Sequence, residues 1–204
     1  MADDASPAAS LRERLLAAAL TELETVGADK LTVRGVARRA GVSHAAPGYE
    51  FGGRDGLVTA LAARGFLALR EALLAAPKRP GTSPADRLVA LGRVYIDFAA
   101  SHPGLFAVMF EDPTVHRTDP DYRAAAGPAL TVLSERLADD LLVEPMVAWA
   151  LAHGVATLLR AGAFDGTDVD ATVRVERILT QFASVAGRQQ GSGDAAAQHP
   201  SESF

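Results

Sequence analysis

Apolar residues recur every three or four positions along most of the chain, and this spacing constrains the fold more than any other feature of the sequence. It is the spacing of one face of an amphipathic α-helix, whereas a strand would alternate apolar and polar residues. The clearest runs are Leu11, Leu15, Ala19, Leu23 and Val26, then Leu88, Leu91, Tyr95 and Phe98, then Leu130, Leu133, Leu137 and Leu141. No stretch of the sequence has a strand pattern, so we predict an all-α protein of about nine helices.

Capping residues, prolines and glycines predict where these helices begin and end. Ser10, Thr32 and Ser43 are each expected to cap a helix, and Gly27 and Gly41 are each expected to end one. The predicted helices are residues 11–26, 33–39, about 44–50, 53–76, 84–102, a short apolar segment opened by Pro103, 120–142, 145–162 and 168–187. Residues 111–122 are predicted to form a loop, and the two ends, 1–10 and 189–204, are predicted to be disordered.

The composition is that of a globular protein with a substantial core. The chain has 204 residues, of which 49% are hydrophobic. It has no uninterrupted apolar run of about 18 residues, which a membrane-spanning helix would need. The N-terminal sequence MADDASPAAS lacks the basic and apolar parts of a secretory signal. The chain has no cysteine, which is compatible with a reducing compartment without proving it. We expect a cytoplasmic protein that does not associate with a membrane.

Charge is distributed unevenly along the chain. Residues 11–70 hold nine basic and six acidic residues, whereas residues 71–204 hold eleven basic and seventeen acidic residues. The overall net charge is −5, which by itself argues weakly against a nucleic-acid partner. A small basic N-terminal part on a larger acidic body instead favours nucleic-acid binding by the N-terminal part.

The segment LTVRGVARRAGVSHAAPGYEF, residues 31–51, has the features of a helix-turn-helix. Ala37 is small enough for two helices to cross closely, and Gly41 can adopt the positive φ that a tight turn needs. Val42 is expected to anchor the turn in the core, and Ser43 to cap the second helix of the motif. Positive charge beside the motif comes from Arg34, Arg38 and Arg39.

Residues 11–70 resemble the DNA-binding module of TetR-type transcriptional regulators. The matching residues are Gly27, Thr32, Val36, Ala37, Gly41, Val42, Ser43, Phe51, Arg54 and Leu57. Further along, Trp149, His153 and Gly154 spell W-x-x-x-H-G, which resembles the C-terminal ligand-binding domain of a TetR subgroup named for those letters.

The resemblance implies a homodimer that binds a palindromic operator and is released from it by a small molecule. Recognition helices near 44–50 would enter the major groove at half-sites about 34–36 Å apart, or a multiple of that distance. It also implies a helix-turn-helix DNA-binding domain at 11–56 and a ligand-binding and dimerisation domain at 57–188. The last two long helices, 145–162 and 168–187, would pair with their copies in a four-helix bundle.

Six residues are the candidate DNA contacts. Arg34 and Arg54 are expected to neutralise phosphates, whereas His44 and Tyr49 are expected to reach base edges or the backbone. Thr32 and Ser43 combine helix capping with a hydroxyl that can face phosphate. Each of the six could also be an ordinary surface residue.

The sequence departs from the family pattern inside the recognition helix. The family usually has an aromatic residue, most often tyrosine, at the position of Gly48, and often a histidine or another aromatic residue at that of Glu50. In this chain Tyr49 stands one place later, which turns a helical side chain by about 100°. We therefore expect Pro47 and Gly48 to distort the helix if Tyr49 is to take over the tyrosine's role.

Eight residues are the candidate lining of an effector site: Tyr95, Phe98, Phe106, Met109, Phe110, Trp149, His153 and Thr157. They are mostly apolar and aromatic, which favours a small hydrophobic or aromatic effector. Each also fits ordinary core packing, and His153 also fits a hydrogen-bonded core histidine.

The sequence gives little support for an enzyme. It has no cysteine, no G-x-S-x-G motif, no P-loop, and no pair of histidines at i,i+4 with a nearby carboxylate. We predict no catalytic residue, no metal site and no cofactor. Two functions stay open, namely a ligand-responsive repressor and a small-molecule binding protein of the same fold in which Gly48 and Glu50 have weakened or abolished operator binding.

Overall fold

The computed structural model describes residues 10–77, 81–137, 144–166 and 168–186, and nine α-helices lie in these ranges. They are α1 (Leu11–Val26), α2 (Val33–Ala40), α3 (Ala46–Phe51), α4 (Arg54–Ala75), α5 (Pro84–Ser101), α6 (Pro103–Phe110), α7 (Pro120–Leu137), α8 (Pro145–Arg160) and α9 (Ala171–Ala186), with one turn of 3₁₀ helix at Ala28–Lys30. These ranges contain no strand, and the all-α prediction is confirmed. The predicted disorder of the two ends, apart from Ser10, and the helix predicted at 138–142 lie outside the described residues.

Helix α1 begins and ends where its capping residues predict. The Ser10 hydroxyl accepts a hydrogen bond from the Glu13 N–H at 3.2 Å, and the Glu13 carboxylate accepts one from the Ser10 N–H at 2.9 Å. This capping box satisfies two of the N–H groups that a helix start leaves without partners. At the other end Gly27 has a φ of 82° and donates its N–H to the Leu23 carbonyl. Leu15, Ala19 and Leu23 of the predicted apolar stripe are buried, whereas Leu11 at the start of the helix is exposed.

The start of α3 corrects the prediction for Ser43. The helix begins at Ala46, its N-cap position is Ala45, and no side chain caps it. Ser43 contributes its backbone carbonyl, which accepts the Ala46 N–H at 3.1 Å, so the predicted side-chain cap is wrong. Pro47 explains why the helix starts at Ala46. A proline is tolerated in the first turn of a helix, where its missing N–H has no helical partner to lose.

One later helix start also differs from the predicted one. Helix α7 begins at Pro120, as the helix predicted at 120–142 does, and it includes the last three residues of the loop predicted at 111–122. Helix α9 begins at Ala171 instead of residue 168, because the Asp170 carboxylate accepts hydrogen bonds from the Thr172 and Val173 N–H groups and caps the helix there. These hydrogen bonds also lower the pKa of Asp170.

The described residues divide into two compact units. The first unit holds residues up to Glu71 together with Ala99–Leu130. In it α6 packs closely on α1, and a Cβ added to Gly104 would lie 3.1 Å from the Leu23 carbonyl oxygen. Phe106 is fully buried in the core of this unit.

The second unit holds Ala72–Phe98 and the described residues from Thr131 onward. Here α5 and α9 approach closely, because a Cβ on Gly92 would lie 2.8 Å from a Leu179 methyl group. The Arg136 guanidinium donates to the carbonyls of Leu73, Leu74 and Ala76 at 3.2, 3.1 and 2.8 Å. A cation at the last carbonyls of a helix stabilises the end of α4.

The two units are built from discontinuous segments, whereas the sequence predicts consecutive domains at 11–56 and 57–188. Helix α6 and the first part of α7 belong to the same unit as α1–α3, because their apolar residues complete its core. The functional division of the chain between those two domains stays a prediction. No described helix is long and apolar enough to cross a membrane.

Candidate nucleic-acid interface and effector site

Helices α2 and α3 are joined by the tight turn that the sequence predicts. Gly41 is left-handed, with a φ of 66°, and its N–H donates to the Arg38 carbonyl. The Val42 N–H donates to the Ala37 carbonyl at 3.0 Å, which completes the helix end. At the start of α2 the Thr32 hydroxyl accepts the Gly35 N–H at 3.1 Å. Helix, turn and helix are therefore fixed by their own backbone and capping hydrogen bonds.

A buried carboxylate holds α2 against α1. Glu22 is 6% exposed, and the Arg39 Nε donates to it at 2.7 Å. Gly35 makes room for this carboxylate, since a Cβ there would lie 2.6 Å from Glu22 Oε1. Arg39 therefore stabilises the fold, whereas the side chains of Arg34 and Arg38 are exposed and make no hydrogen bond or ion pair with another described residue. Sequence reasoning missed Glu22, whose only signal was a charge next to the apolar stripe of α1.

Helix α3 is regular but short. The Tyr49 N–H donates to the Ala45 carbonyl at 3.1 Å and the Gly52 N–H to the Gly48 carbonyl at 2.9 Å, so helical bonding continues on both sides of Gly48. The expected distortion is therefore absent from this helix. Tyr49 is 89% exposed, and a Cβ added to Gly48 would meet no atom within 4 Å.

The C-terminal end of α3 is held by Arg12 of α1. The Arg12 Nη1 donates to the Glu50 carbonyl at 3.1 Å, and its guanidinium lies over the Phe51 ring, 4.7 Å from the centroid. A cation at the last carbonyls of a helix stabilises that end, and stacking on an aromatic ring adds to it.

Five of the six candidate DNA contacts are exposed on the α2–α3 segment. They are Thr32, Arg34, Ser43, His44 and Tyr49. Because they share one short helix-turn-helix segment, they can present hydroxyl, guanidinium, imidazole and phenol groups to one ligand surface. Their contact with DNA stays a prediction.

Arg54 differs from the other five candidates. It is half-buried, and its guanidinium reaches Thr114 Oγ1 at 3.2 Å, the Ala28 carbonyl at 3.3 Å and Asp112 Oδ2 at 3.5 Å. Burial of the Asp112 carboxyl alone would raise its pKa, but hydrogen bonds from Thr114 and the nearby Arg54 charge outweigh burial, and the pKa lies below its usual range. These contacts favour a structural role for Arg54, which ties the start of α4 to the loop after α6.

The candidate effector residues Tyr95, Trp149 and His153 form a cluster in the second unit. The Tyr95 hydroxyl is 2.9 Å from His153 Nδ1, and the rings of Trp149 and His153 are 5.3 Å apart. Burial raises the pKa of Tyr95 well above its usual range, and the Trp149 side chain acts in the opposite direction. Phe98 is buried in the same unit, whereas Thr157 is exposed on α8.

The space beside this cluster is small. A cavity of about 10 Å³ lies next to Tyr95 and Leu91 of α5, Ala148 and Ala152 of α8, and Leu179 of α9. That volume holds about one water molecule. A larger ligand could bind in this cavity only if the surrounding side chains moved.

The other three candidates, Phe106, Met109 and Phe110, belong to the first unit. The Phe110 ring lies 4.8 Å from that of Phe106 and 5.4 Å from that of Phe66. Met109 fills the space left by Gly65, where a Cβ would lie 2.5 Å from its sulfur. Core packing, the alternative that the sequence left open, fits these three residues better than a ligand site. Within the described residues, no group of three or more His, Asp or Glu side chains is placed to hold a metal ion.

Two family profiles match the chain. Residues 15–61 match the profile described as bacterial regulatory proteins, tetR family. Residues 88–182 match the profile described as tetracyclin repressor-like, C-terminal domain. The assignment to the W-H-G subgroup stays a prediction.

Individual relatives agree with these profiles. An uncharacterised HTH-type transcriptional regulator of Mycobacterium tuberculosis is 27% identical over 199 residues, which cover 94% of this chain and 88% of the relative. A solved protein of unknown function from Rhodococcus sp. RHA1 is 33% identical, with a TM-score of 0.69 and coverage of 91% of this chain and 98% of that one. A regulatory protein in the tetR family from Rhodococcus RHA1 has the same fold, with 18% identity, a TM-score of 0.63 and coverage of 88% and 98%. The helix-turn-helix, the all-α fold and these matches together show that the chain belongs to the TetR family of bacterial transcriptional regulators.

Proposed function

We propose that this TetR-family regulator is a homodimeric repressor that binds a palindromic operator through α2 and α3 and is released by a small hydrophobic or aromatic effector. One observation carries the DNA-binding part of the proposal. The side chains of Arg34, Arg38, His44 and Tyr49 are exposed on one helix-turn-helix and make no hydrogen bond or ion pair with another described residue. A DNA-binding regulator works where the chromosome is, so we keep the cytoplasm as its proposed location.

Each side chain on this surface has a chemistry that suits DNA. The guanidinium groups of Arg34 and Arg38 suit phosphates, whereas the His44 ring and the Tyr49 hydroxyl suit base edges or the backbone. Tyr49 stands on a regular helix and is almost fully exposed, so it can reach DNA without the helix bending.

One specific observation favours the second candidate, a small-molecule binding protein with weakened or lost operator binding. Gly48 faces open space and presents no side chain, and Glu50, also on α3, carries a negative charge. Both features reduce attraction to a polyanion.

The deciding experiment measures binding to fragments of the source genome, including the region upstream of the protein's own gene, by fluorescence anisotropy at several salt concentrations. A regulator should bind a fragment that contains a palindrome, and its affinity should fall steeply as the salt concentration rises. Arg34→Gln should weaken binding to all sequences alike and reduce the salt slope by about one. Arg123→Gln, which changes an exposed arginine of α7, is the matched control and should leave the slope unchanged.

If the folded protein binds no fragment at low salt, the repressor proposal is contradicted and the second candidate is supported. Binding that Arg34→Gln and Arg123→Gln weaken equally would show that α2 and α3 do not form the interface.

The effector proposal rests on the cluster of Tyr95, Trp149 and His153. Its surroundings are apolar, and the Tyr95 hydroxyl already pairs with His153 Nδ1, which suits a mainly hydrophobic molecule with one polar group. Because the adjacent cavity is only about 10 Å³, an effector that binds there must displace side chains. That displacement is how binding would change the structure of the unit.

A further inference from the structure

The first unit contains a groove that neither the family match nor the proposed effector site explains. It has a volume of about 310 Å³ and lies between α1, α4 and α7. Its apolar walls include Leu16 of α1, Ala63 and Leu67 of α4, and Ala125 of α7. Ligand sites in proteins have volumes of about 300–1,000 Å³, so the groove is large enough for a small organic molecule.

The groove has three charged side chains, and their balance is positive. Arg12 of α1 and Arg64 of α4 face one carboxylate, Asp121 of α7. The Arg12–Asp121 pair is long, at 3.6 Å, and the Asp121 side chain is 80% exposed, so the pair is easily displaced. The Arg64 side chain is exposed and makes no hydrogen bond or ion pair within the described part of the chain.

We propose that this groove binds a small organic carboxylate with an apolar body. Leu16, Ala63 and Leu67 would cover the apolar body, whereas Arg12 and Arg64 would hold the carboxylate. A guanidinium matches a carboxylate with two parallel hydrogen bonds, and the net positive charge disfavours a cationic ligand. The site lies in a different unit from Tyr95 and His153, so the proposal stands independently of the effector proposal.

Ligand binding in the groove would affect the recognition helix α3 through Arg12. The same guanidinium contacts Asp121 in the groove and the Glu50 carbonyl and Phe51 ring at the end of α3. A carboxylate that takes two hydrogen bonds from Arg12 competes with both contacts. Since coupling between two ligands is reciprocal, such a carboxylate and DNA would lower each other's affinity.

The test uses the full chain and octanoate as the probe, with 1-octanol as the uncharged comparison, in isothermal titration calorimetry. Octanoate should bind and 1-octanol should bind more weakly. Arg64→Gln should weaken octanoate binding about tenfold, the loss expected for one charge-assisted hydrogen bond. Leu67→Trp should fill the groove and abolish binding.

Two matched controls keep the test specific. Arg123→Gln removes an exposed arginine of α7 that does not line the groove, and Leu74→Trp enlarges an exposed leucine of α4 outside it. Both should bind octanoate as the unchanged protein does. Absence of octanoate binding, equal binding of 1-octanol, or binding that Arg64→Gln leaves unchanged would overturn the site.

A second measurement tests Arg12. Hydrogen exchange of the backbone amides in residues 49–52 should speed up when octanoate is added, because α3 loses the Arg12 contact at its end. Binding without faster exchange in residues 49–52 would overturn the role of Arg12 while supporting the groove as a site.

Discussion

Two glycines of the DNA-binding segment differ in the backbone conformation they adopt. Gly41 has a φ of 66°, which side chains rarely tolerate, whereas Gly48 lies in a regular helix and faces open space. Gly48→Ala should raise the free energy of unfolding by about 0.5–1 kcal/mol, because glycine is the poorer helix former. Gly41→Ala should lower it by about 1 kcal/mol. Urea denaturation measures both, and destabilisation by Gly48→Ala would show that residue 48 is not helical in solution.

The same open space permits a test of the missing aromatic ring. The resemblance described above predicts an aromatic residue at the position of Gly48, and a Cβ there meets no neighbour. If the proposed operator contact is correct, Gly48→Tyr should tighten operator binding about tenfold through a hydrogen bond to phosphate. Tyr49→Phe should weaken binding, because it removes the hydroxyl now proposed to face DNA. Anisotropy titrations of both variants on one operator fragment decide this, and an unchanged affinity for both would exclude α3 as a phosphate contact.

At the scale of elements, the hydrogen bonds from Thr114 to Asp112, together with the nearby Arg54 charge, make stability depend on pH. The pKa of Asp112 in the folded chain is lower than its usual value, so its stabilisation is complete above the usual value of about 3.9 and is lost as the pH falls through the folded value. Asp112→Asn should therefore reduce the loss of stability between about pH 5 and pH 3. Urea denaturation of both proteins across that pH range measures the free energy of unfolding and hence this difference.

Arg54→Gln serves as the partner variant in this comparison. It should reduce part of the same loss of stability at low pH. The double variant should reduce that loss no further than Asp112→Asn alone does. If Arg54→Gln leaves stability unchanged but weakens DNA binding to all sequences, Arg54 contacts phosphate as the sequence predicted.

Elements of this chain could be predicted from the sequence where local chemistry determines them. Ser10, Gly27, Thr32 and Gly41 set the ends of α1 and α2, since caps and left-handed glycines act within a few residues. The start of α3 was predicted wrongly. The prediction relied on Ser43, a residue type that often caps helices, and gave too little weight to the preference of proline for the first turn.

The candidate site was less predictable than the helices. The Arg39–Glu22 and Arg54–Asp112 contacts join residues 17 and 58 positions apart, and no local pattern reveals them. Aromatic residues between 95 and 110 were predicted to share one cavity, but they divide between two units because the division falls between Phe98 and Ala99. Periodicity places a residue on a face of a helix and does not identify the helix that it packs against.

At the scale of the whole molecule, apolar side chains exposed on the last two helices support the proposed dimer. Met146 and Leu158 of α8 are 51% and 50% exposed, and Val185 of α9 is 67% exposed. Large apolar side chains that water would otherwise surround are favourable to bury in an interface. Leu158→Arg combined with Val185→Arg should therefore convert the dimer to a monomer, because charges would be buried without partners.

Sedimentation velocity measures this change, and Thr180→Arg, on another face of α9, is the matched control. The control should sediment as the unchanged protein does. A dimer that survives both arginines would place the interface elsewhere.

The discontinuous first unit also sets an order of events during synthesis. Helices α1–α3 leave the ribosome first, but α6 and the first part of α7, which complete their core, end near Leu130. At about 5–20 residues per second, the roughly 60 residues between Glu71 and Leu130 take about 3–12 s to make. Until then the faces of Leu23 and Phe66 that α6 covers are open to solvent. The nascent DNA-binding segment therefore passes through a period in which part of its apolar core is exposed and aggregation is favoured.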